Sequence, residues 1–260
     1  MSARSVNPYD DAVWFDQAGF ALRLGWGPNG LRRLAPNVDA VVVVDVLSFS
    51  TAVDIALARD ATVFPYSWHD GTEDQFAADN DAVVAAREPA AGSLSLRPSS
   101  LLSIPAATRL VLPSPNGSAL TFAAHEAGAR RVVVACLRNR ASVAQALARS
   151  GIESCAVIAA GERWRGSTGP LRPAVEDLLG AGAVLSQLRS AGGYAPSPEA
   201  EVAIAAFDQA CGDLDRRLAE CGSGRELRDR GHEADVTLAA ELDVSDRVPT
   251  LVEIELRHSQ

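Results

Sequence analysis

The chain has 260 residues, of which 47% are hydrophobic and 22% charged, a composition typical of a packed globular protein that needs no disulfide or structural metal to stabilise its core. Its formal net charge of −9 argues against a nucleic-acid-binding surface, and an anionic ligand must be held by a local site because the overall field repels it. All 24 basic residues are arginine, which excludes every mechanism that requires a lysine.

Short β-branched runs alternate along the chain with longer helical stretches. The predicted strands, each followed by its helix, are Ala40–Val46 and Thr51–Arg59, Thr62–Tyr66 and Glu73–Ala86, Arg109–Leu112 and Ala119–Ala127, Arg131–Cys136 and Ala141–Arg149, and Cys155–Ala159 and Ala174–Ser190. This alternation predicts an α/β fold in which helices sandwich a mainly parallel sheet.

The remaining segments complete a single predicted domain over residues 1–260. The region from Pro198 to Leu242 has a helical pattern, and Thr250–Leu256 is predicted to be a late strand, antiparallel or at an edge of the sheet. The segment Pro89–Pro105 is rich in Gly, Pro and Ser, which indicates a long loop or an insertion.

The cysteines and the apolar runs bear on the compartment. Cys136, Cys155, Cys211 and Cys221 show no metal-ligand spacing and are interpreted as reduced thiols. The longest apolar run, Val41–Val44, is far too short to span a bilayer, and the acidic start of the chain does not resemble a signal peptide. We therefore expect a cytoplasmic protein with no membrane partner.

Polar residues follow the first predicted core strand. Asp45 comes directly after four valines, where a carboxylate is costly to bury unless it binds a cation or accepts several hydrogen bonds. The hydroxyls of Ser48, Ser50 and Thr51 precede the next helix, whose N-terminal amides can hold an anion. A role for Ser50 or Thr51 as a plain helix cap is the equally open alternative.

The later strand ends carry similar groups. Pro115, Asn116 and Gly117, followed by Ser118, are predicted to form a tight turn that leaves backbone N–H groups free to face a ligand, although a simple turn and cap is the alternative. Asn139 follows the next strand, and a helix cap alone would explain it.

The last strand-to-helix unit adds charged groups. Glu162 and Arg163 follow Cys155–Ala159, and Glu176 and Asp177 open the next helix, where they are either ligands or charges that favour the helix dipole. Ligands of open α/β sheets bind beyond the carboxyl ends of the strands, so these groups are expected to gather at one edge. Together they suit a small anionic substrate, such as a phosphate or carboxylate, with a divalent metal.

The order of these motifs resembles that of the 2-phosphosulfolactate phosphatase family. The resemblance runs from about Val38 to Pro249. The matching segments are Val41–Leu47 with Ser50 and Thr51, Asn116–Leu120, Asn139 with Ala141–Val143, Ala160 with Gly161, Val175–Gly182, Ser223–Arg225, Asp235 with Val236, and Asp243 with Asp246–Pro249.

The resemblance implies a Mg²⁺-dependent phosphatase that hydrolyses 2-phospho-3-sulfolactate to sulfolactate and phosphate, a step toward coenzyme M. By that analogy, catalysis is assigned to Asp45, Glu162 and Asp177, and metal binding to Asp45, Glu176 and Asp177. Substrate or phosphate binding is assigned to Ser48, Ser50, Thr51, Asn116, Gly117, Ser118, Asn139 and Arg163.

One departure from the family pattern affects the choice of substrate. Ser48 and Phe49 stand where family members usually carry Arg-Ala, which removes a bidentate clamp for phosphate or sulfonate. The leading hypothesis is a Mg²⁺-dependent phosphatase acting on a small phosphorylated acid. Its rival is a non-catalytic binder of a small anionic metabolite on the same fold, and a homodimer is the default assembly for either.

Overall fold

A nine-stranded sheet organises the part of the chain that the computed structural model describes, residues 13–67, 71–87, 92–164 and 169–259. The strands are β1 (Leu22–Trp26), β2 (Ala40–Val44), β3 (Thr62–Tyr66), β4 (Val83–Val84), β5 (Arg109–Pro113), β6 (Val132–Ala135), β7 (Cys155–Ala159), β8 (Glu162–Arg163), β9 (Leu171–Arg172), β10 (Pro249–Val252) and β11 (Glu255–His258). The pair β8–β9 forms a separate two-stranded ribbon.

Ten helices accompany these strands in the described ranges. They are α1 (Gly27–Leu34), α2 (Phe49–Ala58), α3 (Glu73–Asp79), α4 (Gly117–Glu126), α5 (Arg140–Arg149), α6 (Val175–Gly192), α7 (Pro198–Ala210), α8 (Leu214–Glu220), α9 (Gly222–Asp229) and α10 (Glu233–Ala240). None of the helices so described is long and apolar enough to cross a membrane.

The sheet order is β1-β7-β2-β6-β10-β11-β3-β5-β4. Strands β1, β7, β2 and β6 form one parallel part, and β3, β5 and β4 form another. The β10–β11 hairpin lies between them and pairs antiparallel with both β6 and β3. Because three antiparallel pairings separate the two parts, they run in opposite directions.

The valine run explains why β2 lies in the centre of its part. Val41, Val42, Val43 and Val44 are all fully buried, as expected for a strand covered on both faces. Side chains of a strand alternate, so Val42 and Val44 pack in the cluster of α5, α6 and α7, whereas Val41 and Val43 pack in the cluster of α1 and α4. A third cluster places α2 against β3 and β5.

The predicted α/β fold and its mainly parallel, helix-covered sheet are confirmed. The late strand is a hairpin, antiparallel as predicted, but it lies in the middle of the sheet and not at an edge. The helix predicted over Glu73–Ala86 ends at Asp79, and Val83–Val84 pairs with β5 instead. Of the predicted loop, residues 92–105 contain a short 3-10 helix at Pro98–Leu101, and residues 89–91 lie outside the described residues.

Candidate active site

A small cleft of about 270 Å³ lies where the loops after β2 and β5 meet helix α9. We call it the acidic compartment because of the side chains that line it. Its polar lining consists of Asp45, Ser48, Asn116, Glu162, Glu226 and Arg230, together with Ser114 and Ser223.

The two loops are joined by a direct hydrogen bond. The backbone N–H of Gly117 donates to Oδ2 of Asp45 over 2.8 Å, and the bond is buried. β2 and β5 belong to the oppositely directed parts of the sheet, so their carboxyl ends do not point the same way. Asp45 and Gly117 do meet, as the sequence predicts. The prediction that the strands before them end at one common edge of a parallel sheet is wrong.

Position 117 requires a glycine because of Phe49. A Cβ atom at Gly117 would lie 2.2 Å from Cδ1 of Phe49 and 2.6 Å from its Cγ, far below contact distance. Phe49 is itself fully buried in the core cluster of α2. The absence of a side chain therefore lets the amide of Gly117 reach Asp45.

Asp45 is only 5% exposed, yet it forms part of the cleft wall. Its backbone N–H donates to the Oγ of Ser50 over 2.8 Å, which fixes the turn after β2. Burial raises the pKa of Asp45 from 3.8 to about 7; the Gly117 N–H opposes this, and the charge of Glu162 adds to it. A carboxyl group with a pKa near neutrality in a cleft is a candidate for acid–base chemistry.

Asp177 holds two strand-end loops together. Its Oδ1 accepts a hydrogen bond of 2.8 Å from the N–H of Val46, and its Oδ2 accepts one of 2.8 Å from the N–H of Gly161. Val46 directly follows Asp45, and Gly161 directly precedes Glu162. Burial raises the pKa of Asp177 well above its ordinary value, and the charges of Asp45 and Glu176 raise it further.

Two glycines allow this close arrangement. Gly161 has a φ of +67°, in the left-handed region that favours glycine. Gly180, one turn after Asp177 on α6, packs so closely on β2 that a Cβ atom would lie 2.6 Å from Cγ2 of Val46. Helix α6 can therefore bring the Asp177 carboxylate up against the end of β2.

Glu162 lies in the acidic compartment with Asn116. The Nδ2 of Asn116 donates to Oε2 of Glu162 over 3.3 Å, and the N–H of Arg163 donates to Oε1 over 2.7 Å. The guanidinium of Arg163 turns away, donates to the carbonyl of Gly169 and lines a different cavity on the other side of Asn116. Arg163 is thus not brought into the cleft, contrary to its predicted substrate-binding role.

Three of the predicted ligand hydroxyls are fully buried and bind the backbone. The hydroxyl of Thr51 donates to the carbonyl of Val46 over 2.8 Å, and that of Ser118 donates to the carbonyl of Leu112 over 2.6 Å. Ser50 is bound to the backbone of Asp45, as described above. These side chains stabilise the turns, and only Ser48 of the predicted hydroxyls after β2 lines the cleft.

Two further predicted residues lie outside the cleft lining. Asn139 is fully buried, and its Oδ1 accepts the N–H of Cys136 over 2.9 Å. Glu176 is 3% exposed, and its Oε2 accepts the thiol of Cys221 over 3.3 Å. Burial and the charge of Glu176 raise the pKa of Cys221 to about 12, so this contact is between a carboxyl group and a neutral thiol.

The predicted metal set of Asp45, Glu176 and Asp177 does not fit a cation. Both oxygens of Asp177 accept backbone N–H groups and Glu176 faces a thiol, and no group of three Asp, Glu, His or Cys side chains suited to a metal occurs among the described residues. Asp45 and Glu162 fit better, because both line one cleft. Mg²⁺ in phosphate-processing sites typically uses one or two carboxylates, with substrate phosphate and water as the other ligands.

Helix α9 supplies cleft residues that the strand-end reasoning missed. Glu226 and Arg230 lie on or just after this helix and line the acidic compartment. The helix is anchored by Arg172, whose Nη2 donates to the Oγ of Ser223 over 3.0 Å. The segment Ser223–Arg225, noted for its resemblance to the family, was the one signal in the sequence that pointed to this helix.

The fold and the cleft define an α/β protein with a small polar site built from strand-end loops. The family described as 2-phosphosulpholactate phosphatase matches residues 31–253, and the chain belongs to that family.

Three similar proteins carry the name probable 2-phosphosulfolactate phosphatase. The one from Thermus thermophilus is 30% identical over 220 residues, which cover 82% of this chain and 88% of the relative. The one from Deinococcus radiodurans is 32% identical over 56% of this chain and 58% of the relative. The one from Synechococcus is 31% identical over 56% of each protein.

Proposed function

We propose that this protein is a Mg²⁺-dependent phosphatase that hydrolyses a small phosphorylated acid, with 2-phosphosulfolactate as the first candidate. The single observation that carries the proposal is the buried contact between Asp45 and the Gly117 amide in a cleft that also contains Glu162. The names of the three relatives support the choice of substrate.

The charges of the acidic compartment support the need for a cation. Asp45, Glu162 and Glu226 line it, with Arg230 as the one arginine among the described residues of its lining. A phosphate dianion placed beside these carboxylates would be repelled unless a bound cation neutralised them. A divalent cation held there would supply that neutralisation and would polarise the phosphoryl group.

Asp45 and Glu162 would hold the cation, and the other cleft residues would bind the substrate. The Ser48 hydroxyl and the Asn116 amide line the cleft and can donate hydrogen bonds to phosphate oxygens. Asp177 contributes indirectly, since its two backbone contacts fix Asp45 relative to Glu162.

Hydrolysis requires a water oxygen to bond to phosphorus while the ester P–O bond breaks and the alcohol leaves. The pKa of about 7 that burial gives Asp45 belongs to the cation-free protein, and a bound cation would keep Asp45 ionised. The proton that the attacking water loses passes to a carboxylate oxygen of the cleft. The proton then returns to the leaving alkoxide. The products are the free hydroxy acid and inorganic phosphate.

Phosphate release from 2-phosphosulfolactate, measured with Mg²⁺ and with a chelator, tests this function. We expect release only with Mg²⁺, and a loss of at least about a hundredfold in kcat for Asp45→Asn, because the variant loses a ligand of the cation. Asp246→Asn is the matched control, because the side chain of Asp246 is 81% exposed and is not among the residues that line the cleft.

Two results would overturn the proposal. Release that is indifferent to both Mg²⁺ and Asp45 would reject the mechanism. Binding of phosphorylated acids in a thermal-shift assay, with no turnover at any Mg²⁺ concentration, would instead identify a non-catalytic binder.

A further inference from the structure

A second compartment continues from the acidic one along helix α9. It has a volume of about 240 Å³ and shares Ser48, Leu96, Leu227 and Arg230 with the acidic compartment. The two cavities are therefore adjoining parts of one cleft, and Ser48 lies at their boundary.

The second compartment differs from the first in charge. It is lined by Arg87, Arg97, Arg230 and His232, with no Asp or Glu among its described lining residues. We call it the basic compartment. The protein carries a net charge of −9, so the charge of this lining is opposite in sign to that of the protein as a whole.

A buried carboxylate orients one of these arginines. Oδ2 of Asp235 accepts a 3.0 Å hydrogen bond from Nε of Arg97, and Oδ1 accepts the N–H of Ser99 over 2.7 Å. The Asp235 side chain is only 1% exposed, whereas that of Arg97 is 35% exposed. The ion pair therefore fixes the guanidinium from behind while the side chain remains accessible from the cleft.

His232 also lines the basic compartment, and one nitrogen of its imidazole makes no hydrogen bond within the described structure. Its Nδ1 is buried and has no hydrogen-bond partner among the described residues. The backbone at this position is fixed, because the N–H of His232 donates to the carbonyl of Leu227 over 2.8 Å. His232 lines the basic compartment, so its imidazole can contact a bound anion there.

Arg230 connects the two compartments. Its Nη2 lies 2.6 Å from Oε1 of Glu226, and the pair is more than half exposed. Such an exposed pair is weak, so the guanidinium is available to a ligand that offers a better-placed anion.

We infer that the basic compartment, whose lining combines Arg97, Arg230 and His232, binds the distal anionic group of the substrate while its phosphate occupies the acidic compartment. The placement of the phosphate rests on the proposed function. The substrate class is thus a phosphate ester with a second anionic group, a sulfonate or carboxylate, a few bonds away. The arginines and the imidazole make it a specificity site for the part of the substrate that does not react.

Arg230→Gln provides the first test, with Arg228→Gln as its matched control. Both arginines are on or next to α9, and each substitution removes one positive charge, but Arg228 lines a different groove and donates to the carbonyl of Ala219. Phosphate release is measured for 2-phosphosulfolactate, for phospholactate, which lacks the sulfonate, and for isopropyl phosphate, which lacks both acids.

The expected result is a change in specificity. Arg230→Gln should lower kcat/KM for 2-phosphosulfolactate roughly 10- to 100-fold, the range for losing a hydrogen bond to a charged group. The rate with isopropyl phosphate should fall much less, because that ester can meet Arg230 only through its phosphate, and Arg228→Gln should leave all three rates unchanged. Phospholactate separates the sources of the anion, because an effect on it equal to that on 2-phosphosulfolactate assigns the compartment to the carboxylate.

A binding measurement separates this inference from the proposed function. Sulfolactate is titrated calorimetrically into the wild-type protein, Arg230→Gln and His232→Ala. Binding that is weakened by both substitutions but not by Arg228→Gln supports the compartment even if no phosphatase activity is found. An equal loss of rate for all three esters, or sulfolactate binding that ignores Arg230 and His232, would overturn the inference.

Discussion

Oδ2 of Asp177 accepts a 2.8 Å hydrogen bond from the backbone N–H of Gly161, the residue directly before Glu162. The other oxygen of the same carboxylate binds the N–H of Val46, the residue directly after Asp45. One buried side chain on α6 therefore sets the spacing of the two cleft carboxylates without lining the cleft itself.

Asp177→Ala should impair both stability and activity through this spacing. It leaves two buried N–H groups without partners, each at about 1–3 kcal/mol, so the free energy of unfolding should fall by a few kcal/mol. Because Asp177 positions Asp45 and Glu162 and does not touch the substrate, the factor by which kcat falls should be larger than the factor by which KM changes. Denaturant unfolding and steady-state kinetics measure the two effects.

The neighbouring Glu176→Gln is the matched control. Glu176 is equally buried, and glutamine can still accept the thiol of Cys221. Activity and Mg²⁺ dependence should therefore stay near wild type. A loss of Mg²⁺ response in Glu176→Gln that exceeds the loss in Asp177→Ala would restore Glu176 as a metal ligand and contradict this assignment.

Asp45→Asn should stabilise the metal-free protein at neutral pH. Folding raises the pKa of Asp45 from 3.8 to about 7, so the folded state binds this proton more tightly than the unfolded state does. The contribution of Asp45 to the free energy of unfolding of the wild type therefore falls as pH rises from about 4 to about 7. The fall is up to about 4 kcal/mol, at about 1.36 kcal/mol per unit of pKa. Asparagine does not titrate, so the Asp45→Asn variant does not lose this stability as pH rises.

The difference in stability between wild type and Asp45→Asn, measured in chelator, should therefore grow from pH 4 to pH 7 and level off above it. Added Mg²⁺ should stabilise the wild type and leave Asp45→Asn unaffected. A difference that is constant across this pH range would show that Asp45 does not titrate between these values.

Gly117→Ala should force the strand-end loops apart. The new Cβ would lie 2.2 Å from a ring carbon of Phe49, and overpacking of this kind costs about 1–3 kcal/mol. Shifting the loop also moves the Gly117 amide away from Asp45, so kcat should fall with stability. Gly212→Ala is the control, since a Cβ at that position would meet nothing within 4 Å.

A double-mutant cycle tests the stated cause. In a Phe49→Leu background the smaller side chain gives the alanine room, so the cost of Gly117→Ala should shrink. Strictly additive costs would show that the conflict lies elsewhere.

Thr51→Val and Ser48→Ala should separate structural hydroxyls from a ligand-binding one. The Thr51 hydroxyl donates to the carbonyl of Val46, so Thr51→Val should lower the free energy of unfolding by about 1 kcal/mol and leave KM unchanged. Ser48 lines both compartments, so Ser48→Ala should raise KM with little change in stability. The reverse pattern would return Thr51 to its predicted role in substrate binding.

Much of the fold followed from periodicity in the sequence. The buried valine run and the runs at Thr62–Tyr66 and Cys155–Ala159 are strands with the predicted bounds or within two residues of them. Strand β1 and helix α1 were missed, because Leu22–Trp26 has no β-branched residue and Pro28 and Gly30 obscure the helical pattern. The position of the late hairpin was also missed, since pairing partners distant in the chain leave no local signal.

The site was predictable in part. Residues that end a strand, such as Asp45 and Asn116, could be identified because parallel sheets place ligands there. Sequence alone did not show which way a side chain turns, and so Arg163, Thr51 and Ser118 were grouped with the ligand-binding residues. Glu226 and Arg230 reach the cleft only through the packing of α9, which strand-end reasoning does not cover.

The central position of the β10–β11 hairpin has a consequence for biogenesis. During synthesis on the ribosome, residues 249–258 emerge after all the other described strands. One edge of β6 and one edge of β3 therefore stay unpaired until the hairpin inserts between them. Exposed strand edges are templates for intermolecular pairing. Nascent chains that stall before this segment should therefore be the species that aggregates and that chaperones have to protect.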